Sequence, residues 1–167
     1  MTRGAALVLL VHAAACAPQQ TAATSQQSSP AQNPISPPAV TLERTACFGR
    51  CPVYRVAVSP TGSLTYEGTA NVRRVGAATG QVSAGRVSAL LSELEQAGYF
   101  AFASSYTSTD LACGRYAADL PTVITSVTVQ GRTKRIVHDH GCAAPGALDV
   151  LERRIDEVLG SSQFTGR

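Results

Sequence analysis

The sequence predicts an α+β domain: a mainly antiparallel sheet of two hairpins plus short strands, with two amphipathic helices packed on it. Two observations lead there. Segments with alternating apolar residues come in pairs around short turns, 53–58 with 63–69 and 123–129 with 133–138. Paired alternating segments joined by tight turns form hairpins, and hairpins pair antiparallel. Two other stretches repeat apolar residues at helical spacing, Val87-Leu90-Leu91-Leu94 and Leu148-Leu151-Ile155-Val158. The resulting order is strands, helix, strands, helix, with both helices on one face of the sheet.

Val40 to Arg44 is the first, short strand. Val53 to Val58 places Tyr54, Val56 and Val58 on one face. Ser59-Pro60-Thr61-Gly62 turns the chain, with Pro60 pre-set for the first central position and Gly62 free to adopt positive φ. Ser63 to Thr69 returns with Leu64 and Tyr66 on one face, and Asn71 to Val75 is expected to add a third strand. Ser83 is placed to cap a helix that runs to about Ala97 and stops at Gly98. Tyr99, Phe100 and Phe102 follow as core plugs between helix end and sheet. Residues 104–120 carry no periodicity, so no element is assigned to them. Pro121 opens the second hairpin, whose strand Val123 to Val129 puts Val123, Thr125, Val127 and Val129 on one face. It turns at Gln130-Gly131-Arg132 and returns over Thr133 to His138. The last helix runs from Pro145 or Gly146 to Leu159, with Asp149 and Glu152 early, where the helix dipole favours carboxylates.

The chain has 167 residues, 44% of them hydrophobic and 15% charged. That length suits one domain, and the composition excludes a wholly disordered chain. A net charge of +3 is too small a bias to argue for nucleic acid. Residues 40–167 are read as the single domain.

The N-terminus reads as an address. Arg3 supplies a positive start, Ala5 to Val11 an apolar run, and Ala13-Ala14-Ala15 a small-residue cleavage stretch. The run is far shorter than the about 20 residues a membrane-spanning helix needs. Residues 1–15 are therefore expected to be a signal peptide. Ala13-Ala14-Ala15-Cys16 resembles the lipobox of bacterial lipoproteins, in which the Cys becomes the lipid-bearing N-terminus. It departs from that pattern at Ala13, where Leu is commonest. Lipidation of Cys16 is the expectation. The alternative is an ordinary Ala-x-Ala cleavage that releases a soluble periplasmic or secreted protein. Ala17, in place of Asp, favours the outer membrane by resemblance to enterobacterial sorting rules. From Ala17 to Ala39 there is no charge and almost no large apolar residue, but there are Pro18, Pro30, Pro34, Pro37 and Pro38. Such a segment cannot bury enough surface to offset chain entropy, so residues 16–39 are read as a lipobox Cys and a disordered tether.

The string Cys47-Phe48-Gly49-Arg50-Cys51-Pro52-Val53-Tyr54 resembles an uncharacterised bacterial family, domain of unknown function 6438. The likeness continues through Thr65-Tyr66-Glu67-Gly68 and Asp119-Leu120-Pro121-Thr122 to the closing helix, over most of residues 42–160. It implies no activity, because none is established for the family.

Apart from Cys16, the cysteines are Cys47, Cys51, Cys113 and Cys142, an even number that suits disulfides in an exported domain. The expected pairs are Cys47–Cys51, across a short Gly-containing stretch, and Cys113–Cys142, tying the irregular segment to the end of the second hairpin. One alternative is a thiol-redox role for Cys47 and Cys51. Another is a metal site on His138-Asp139-His140-Gly141-Cys142, in which His138 and His140 share a strand face and Cys47 and Cys51 complete a mixed Cys/His zinc set. Oxidation opposes that set, since it removes the thiolates zinc needs. No spacing brings Asp110, Asp119 and Asp139 together as acid–base carboxylates. No catalytic residue is assigned and no cofactor is expected. The functional expectation is a lipid-anchored outer-membrane protein facing the periplasm, a non-enzymatic binding or scaffold module. Its expected partners are the membrane, through the lipid, and an unnamed envelope protein, with no nucleic acid.

Overall fold

The structure is a computed structural model and describes residues 1–2 and 37–167. Those residues form seven strands: β1 (Val40–Arg44), β2 (Val53–Val58), β3 (Ser63–Ala70), β4 (Gly76–Gln81), β5 (Ser105–Tyr106), β6 (Thr122–Val129) and β7 (Arg132–Asp139). Three α-helices accompany them: α1 (Ala84–Gln96), α2 (Gly146–Leu159) and the short α3 (Ser162–Thr165). The strands make one sheet in the order β4-β3-β2-β1-β6-β7-β5. Its pairings are antiparallel except β5 with β7, which run parallel. This is the α+β class that the alternating and helical periodicities predict. Among the described residues, no helix is long and apolar enough to cross a membrane.

The first strand lies at the centre because it pairs with both hairpins. Leu42 of β1 sits opposite Val56 of β2 on one side and Thr125 of β6 on the other. One sheet face is buried: Val40, Leu42, Tyr54, Val56, Val58, Leu64, Tyr66, Val123, Val127 and Ile136. Val87, Leu90 and Leu94 of α1, with Leu148, Leu151, Ile155 and Val158 of α2, close the same core. The alternate residues of the strands, such as Arg55, Thr65 and Glu67, are exposed, which gives the period of two that the sequence displays. Thr125 is the polar member of the buried row, and its hydroxyl lies 2.6 Å from that of Tyr99. Burial there leaves neither hydroxyl without a partner.

The second hairpin turns on Gln130 (φ 50°) and Gly131 (φ 78°). Positive φ at both central residues is the I′ geometry that matches strand twist in a two-residue loop.

Two readings of the sequence are corrected, and one segment left unassigned is filled in. Ala39, placed at the end of the tether, is buried, and its N–H donates to the Val58 carbonyl at 2.7 Å. The expected strand over 71–75 is instead an irregular link: Asn71 takes positive φ, and the Arg73 and Arg74 N–H groups donate to Thr165 and Phe164 carbonyls. The strand falls on Gly76–Gln81, a small-residue edge whose lack of apolar alternation hid it. Residues 104–120, to which the sequence assigns no element, are irregular apart from β5 and a single turn at Leu111–Cys113, and polar contacts order them. Asp110 Oδ2 accepts from Ser105 Oγ at 2.6 Å, Thr107 N–H at 2.7 Å and Thr107 Oγ1 at 2.6 Å. These bonds hold the Asp110 carboxyl below the usual carboxylate range.

Beneath the sheet, α2 reaches β1 and β2 through a polar contact. The Tyr54 hydroxyl donates to Asp156 Oδ1 at 2.5 Å, and Arg44 donates to Asp156 Oδ2 through Nε at 2.8 Å and Nη2 at 2.7 Å. Burial and the Asp156 charge push the Tyr54 phenol well up, so it stays a donor. Tyr54→Phe is expected to cost about 1.5–3 kcal/mol, the range for a hydrogen bond to a charged group, measured by urea unfolding.

Candidate functional site

His138 ends the buried row of β7, and His140 follows two residues on, just past the strand. Period-two alternation points both imidazoles to the helix side. On the opposing helix, Asp149 lies in the first turn of α2 and Glu152 less than one turn later. The helix start favours both carboxylates electrostatically. Tyr106 of β5 pairs opposite His138 and sets its ring edge-on at 5.9 Å between centroids.

Glu152 lies between the histidines. His138 Nδ1 is 2.8 Å from Glu152 Oε1, and His140 Nε2 is 2.8 Å from Glu152 Oε2. Asp149 Oδ1 faces the same two nitrogens at 3.9 Å and 3.8 Å. One donor atom from each of the four residues lies within 4.8 Å of every other. The side chains of His138 and Glu152 are 2% exposed, those of His140 and Asp149 28% and 39%, so the cluster has a closed floor and one wet side. Burial drives the Glu152 carboxyl up, but its bonds to the two imidazoles outweigh this and leave it below the usual carboxylate range. Glu152 is therefore an ionised carboxylate inside the domain, with both oxygens engaged. All four groups are side chains that ligate metal ions.

The next residues hold the cluster in place. Asp139 Oδ1 accepts the Gly141 N–H at 2.8 Å, and the Gly141 carbonyl accepts the Ala117 N–H at 2.8 Å. A Cβ on Gly141 would overlap the Ala117 carbonyl oxygen, so this approach of chain 115–117 requires glycine.

The domain cysteines pair as Cys47–Cys51, with Cα atoms 5.8 Å apart, and Cys113–Cys142, with Cα atoms 4.7 Å apart. The mixed Cys/His zinc set is thereby overturned: the sulfurs of Cys47, Cys51 and Cys142 are in bridges, and His138 and His140 meet carboxylates instead. Asp119 stands at positive φ in a turn, where its carbonyl accepts the Phe48 N–H. Asp110, Asp119 and Asp139 each serve local chain geometry. Cys16 lies outside the described residues.

The sequence reading missed Asp149 and Glu152 as site residues and assigned both to the helix dipole. A signal was present for one of them. Glu152 falls four residues after Leu148 and three before Ile155, on the stripe that the helix buries. A carboxylate on a buried stripe needs a partner, and the end of β7 and the turn just past it supply two.

A family described as a domain of unknown function, DUF6438, matches residues 38–159. The chain belongs to this family. The DUF6438 match runs from just before β1 to the last residue of α2. It takes in both disulfides, the Arg44–Tyr54–Asp156 contact and all four residues of the histidine–carboxylate cluster. No curated protein matches the chain.

Proposed function

We propose that this DUF6438 protein is exported, held at the cell envelope by a lipid on Cys16, and works there as a binding module rather than an enzyme. The observation that carries the reading is that all four cysteines of the domain are paired. Such bridges persist in oxidising compartments and are rare in reducing ones. Export agrees with the apolar run ending in Ala13-Ala14-Ala15-Cys16, and the charge-free segment after it suits a stalk between lipid and domain. The outer membrane, with the domain facing the periplasm, is the location this favours. Binding rather than turnover is supported by the state of Glu152. Both its oxygens are taken up by imidazoles, so the buried carboxylate and histidines hold one another instead of standing as a free acid–base pair.

Cys16→Ser is expected to move the protein from the membrane fraction to the soluble envelope fraction on cell fractionation. Wild type found soluble, with an unmodified N-terminus at Cys16 or beyond, would overturn the anchor. Wild type retained in the cytoplasm with four free thiols would overturn export itself.

A further inference from the structure

We propose that His138, His140, Asp149 and Glu152 bind one divalent transition-metal ion, with zinc the best fit. The first argument is distance. Asp149 Oδ1 stands 3.8 Å and 3.9 Å from the two imidazole nitrogens, too far for a hydrogen bond. Zinc bound at about 2.0–2.1 Å in a tetrahedron separates its donor atoms by about 3.3 Å. Each Glu152 oxygen lies 2.8 Å from one imidazole nitrogen, and Asp149 Oδ1 lies 3.8–3.9 Å from both. One donor atom per residue falls within 4.8 Å of every other, a spread that brackets the tetrahedral value. An ion in the middle would push Glu152 back slightly and draw Asp149 in.

The second argument is charge. Two carboxylates share the cluster, and that of Glu152 lies in the interior, its side chain 2% exposed. A divalent cation offsets the charge of paired carboxylates more fully than hydrogen bonds alone do. The third is ligand chemistry. The histidines present different nitrogens, Nδ1 from His138 and Nε2 from His140, to one point, and imidazole suits zinc and its neighbours rather than magnesium or calcium. With every domain thiol in a disulfide, an all-nitrogen-and-oxygen donor set stays competent where a cysteine set would not. His140 and Asp149 form the wet side, so the ion has a path in without opening the sheet. The ion would tie the end of β7 to the start of α2. The site stands independently of the lipid anchor, because a chain released from the membrane would keep it.

The test is equilibrium dialysis of zinc against the full chain, stripped with chelator and purified in mild detergent with its disulfides intact. Wild type is expected to take up one zinc per chain and to melt at higher temperature when loaded. His140→Ala and Asp149→Asn, both at the wet side and expected to fold, should each weaken binding by more than about 100-fold, beyond what loss of an outer partner causes. Glu67→Gln, on the open sheet face, should bind as wild type does. Replacing zinc with cobalt(II) should give the visible absorption of a four-coordinate centre, lost in both cluster variants. No saturable zinc binding by wild type, or a weakening of less than about 10-fold in the two folded variants, would overturn the site.

Discussion

Glu152→Ala is expected to lower the stability of the metal-free domain by about 1.5–3 kcal/mol, the range for losing hydrogen bonds to a charged group. The loss is large because the carboxylate serves two residues at once. His138 is 2% exposed and would keep a buried Nδ1 with no hydrogen-bond partner, the Asp149 oxygen standing 3.9 Å away. His140 is partly wet and recovers water. Glu152→Gln should fall between wild type and alanine, because the amide keeps the volume and one oxygen acceptor but presents a donor to the second imidazole. Urea unfolding of the three proteins in chelator measures the order. A loss under about 1 kcal/mol for alanine would mean that the carboxylate does not hold the histidines.

Cys113→Ala with Cys142→Ala is expected to cost about 3–4 kcal/mol, against about 2 kcal/mol for Cys47→Ala with Cys51→Ala. The difference follows from loop length: the bridges span sequence separations of 29 and 4. The long bridge also fastens a stretch with little apolar content of its own. Tyr116 pairs with Cys142 as an isolated bridge, and the Ala143 N–H donates to the Arg115 carbonyl at 2.9 Å. Without the disulfide, amides 104–120 should exchange with solvent well before those of β6 and β1. Equal losses from the two pairs, or unchanged exchange over 104–120, would contradict this division of labour.

The hairpins and the two long helices were legible because their signals are local. Tyr54-Val56-Val58 and Val123-Thr125-Val127 repeat at two residues, and Ser83 and Gly98 bracket the first helix. The central place of β1 was not legible, since a five-residue strand gives no hint that it pairs on both sides. The edge strand Gly76–Gln81 was hidden because glycine and alanine there carry neither β-branching nor apolar alternation. The site was half legible. His138 and His140 show their shared face in the sequence itself. Their partners sit on another element, and only the fold brings α2 over the end of β7. Glu152 could be read as misplaced on its apolar stripe. Asp149, half-exposed in a first helical turn, looks like any carboxylate favoured by the dipole.

X-ray absorption at the zinc edge, on the full chain loaded with one equivalent of zinc, tests the site most directly. The account predicts a first shell of nitrogen and oxygen alone at about 2.0–2.2 Å, with the outer-shell scattering of two imidazoles and no sulfur. Sulfur at about 2.3 Å, or a shell with fewer than two imidazoles, would contradict it and place the ion away from His138, His140, Asp149 and Glu152.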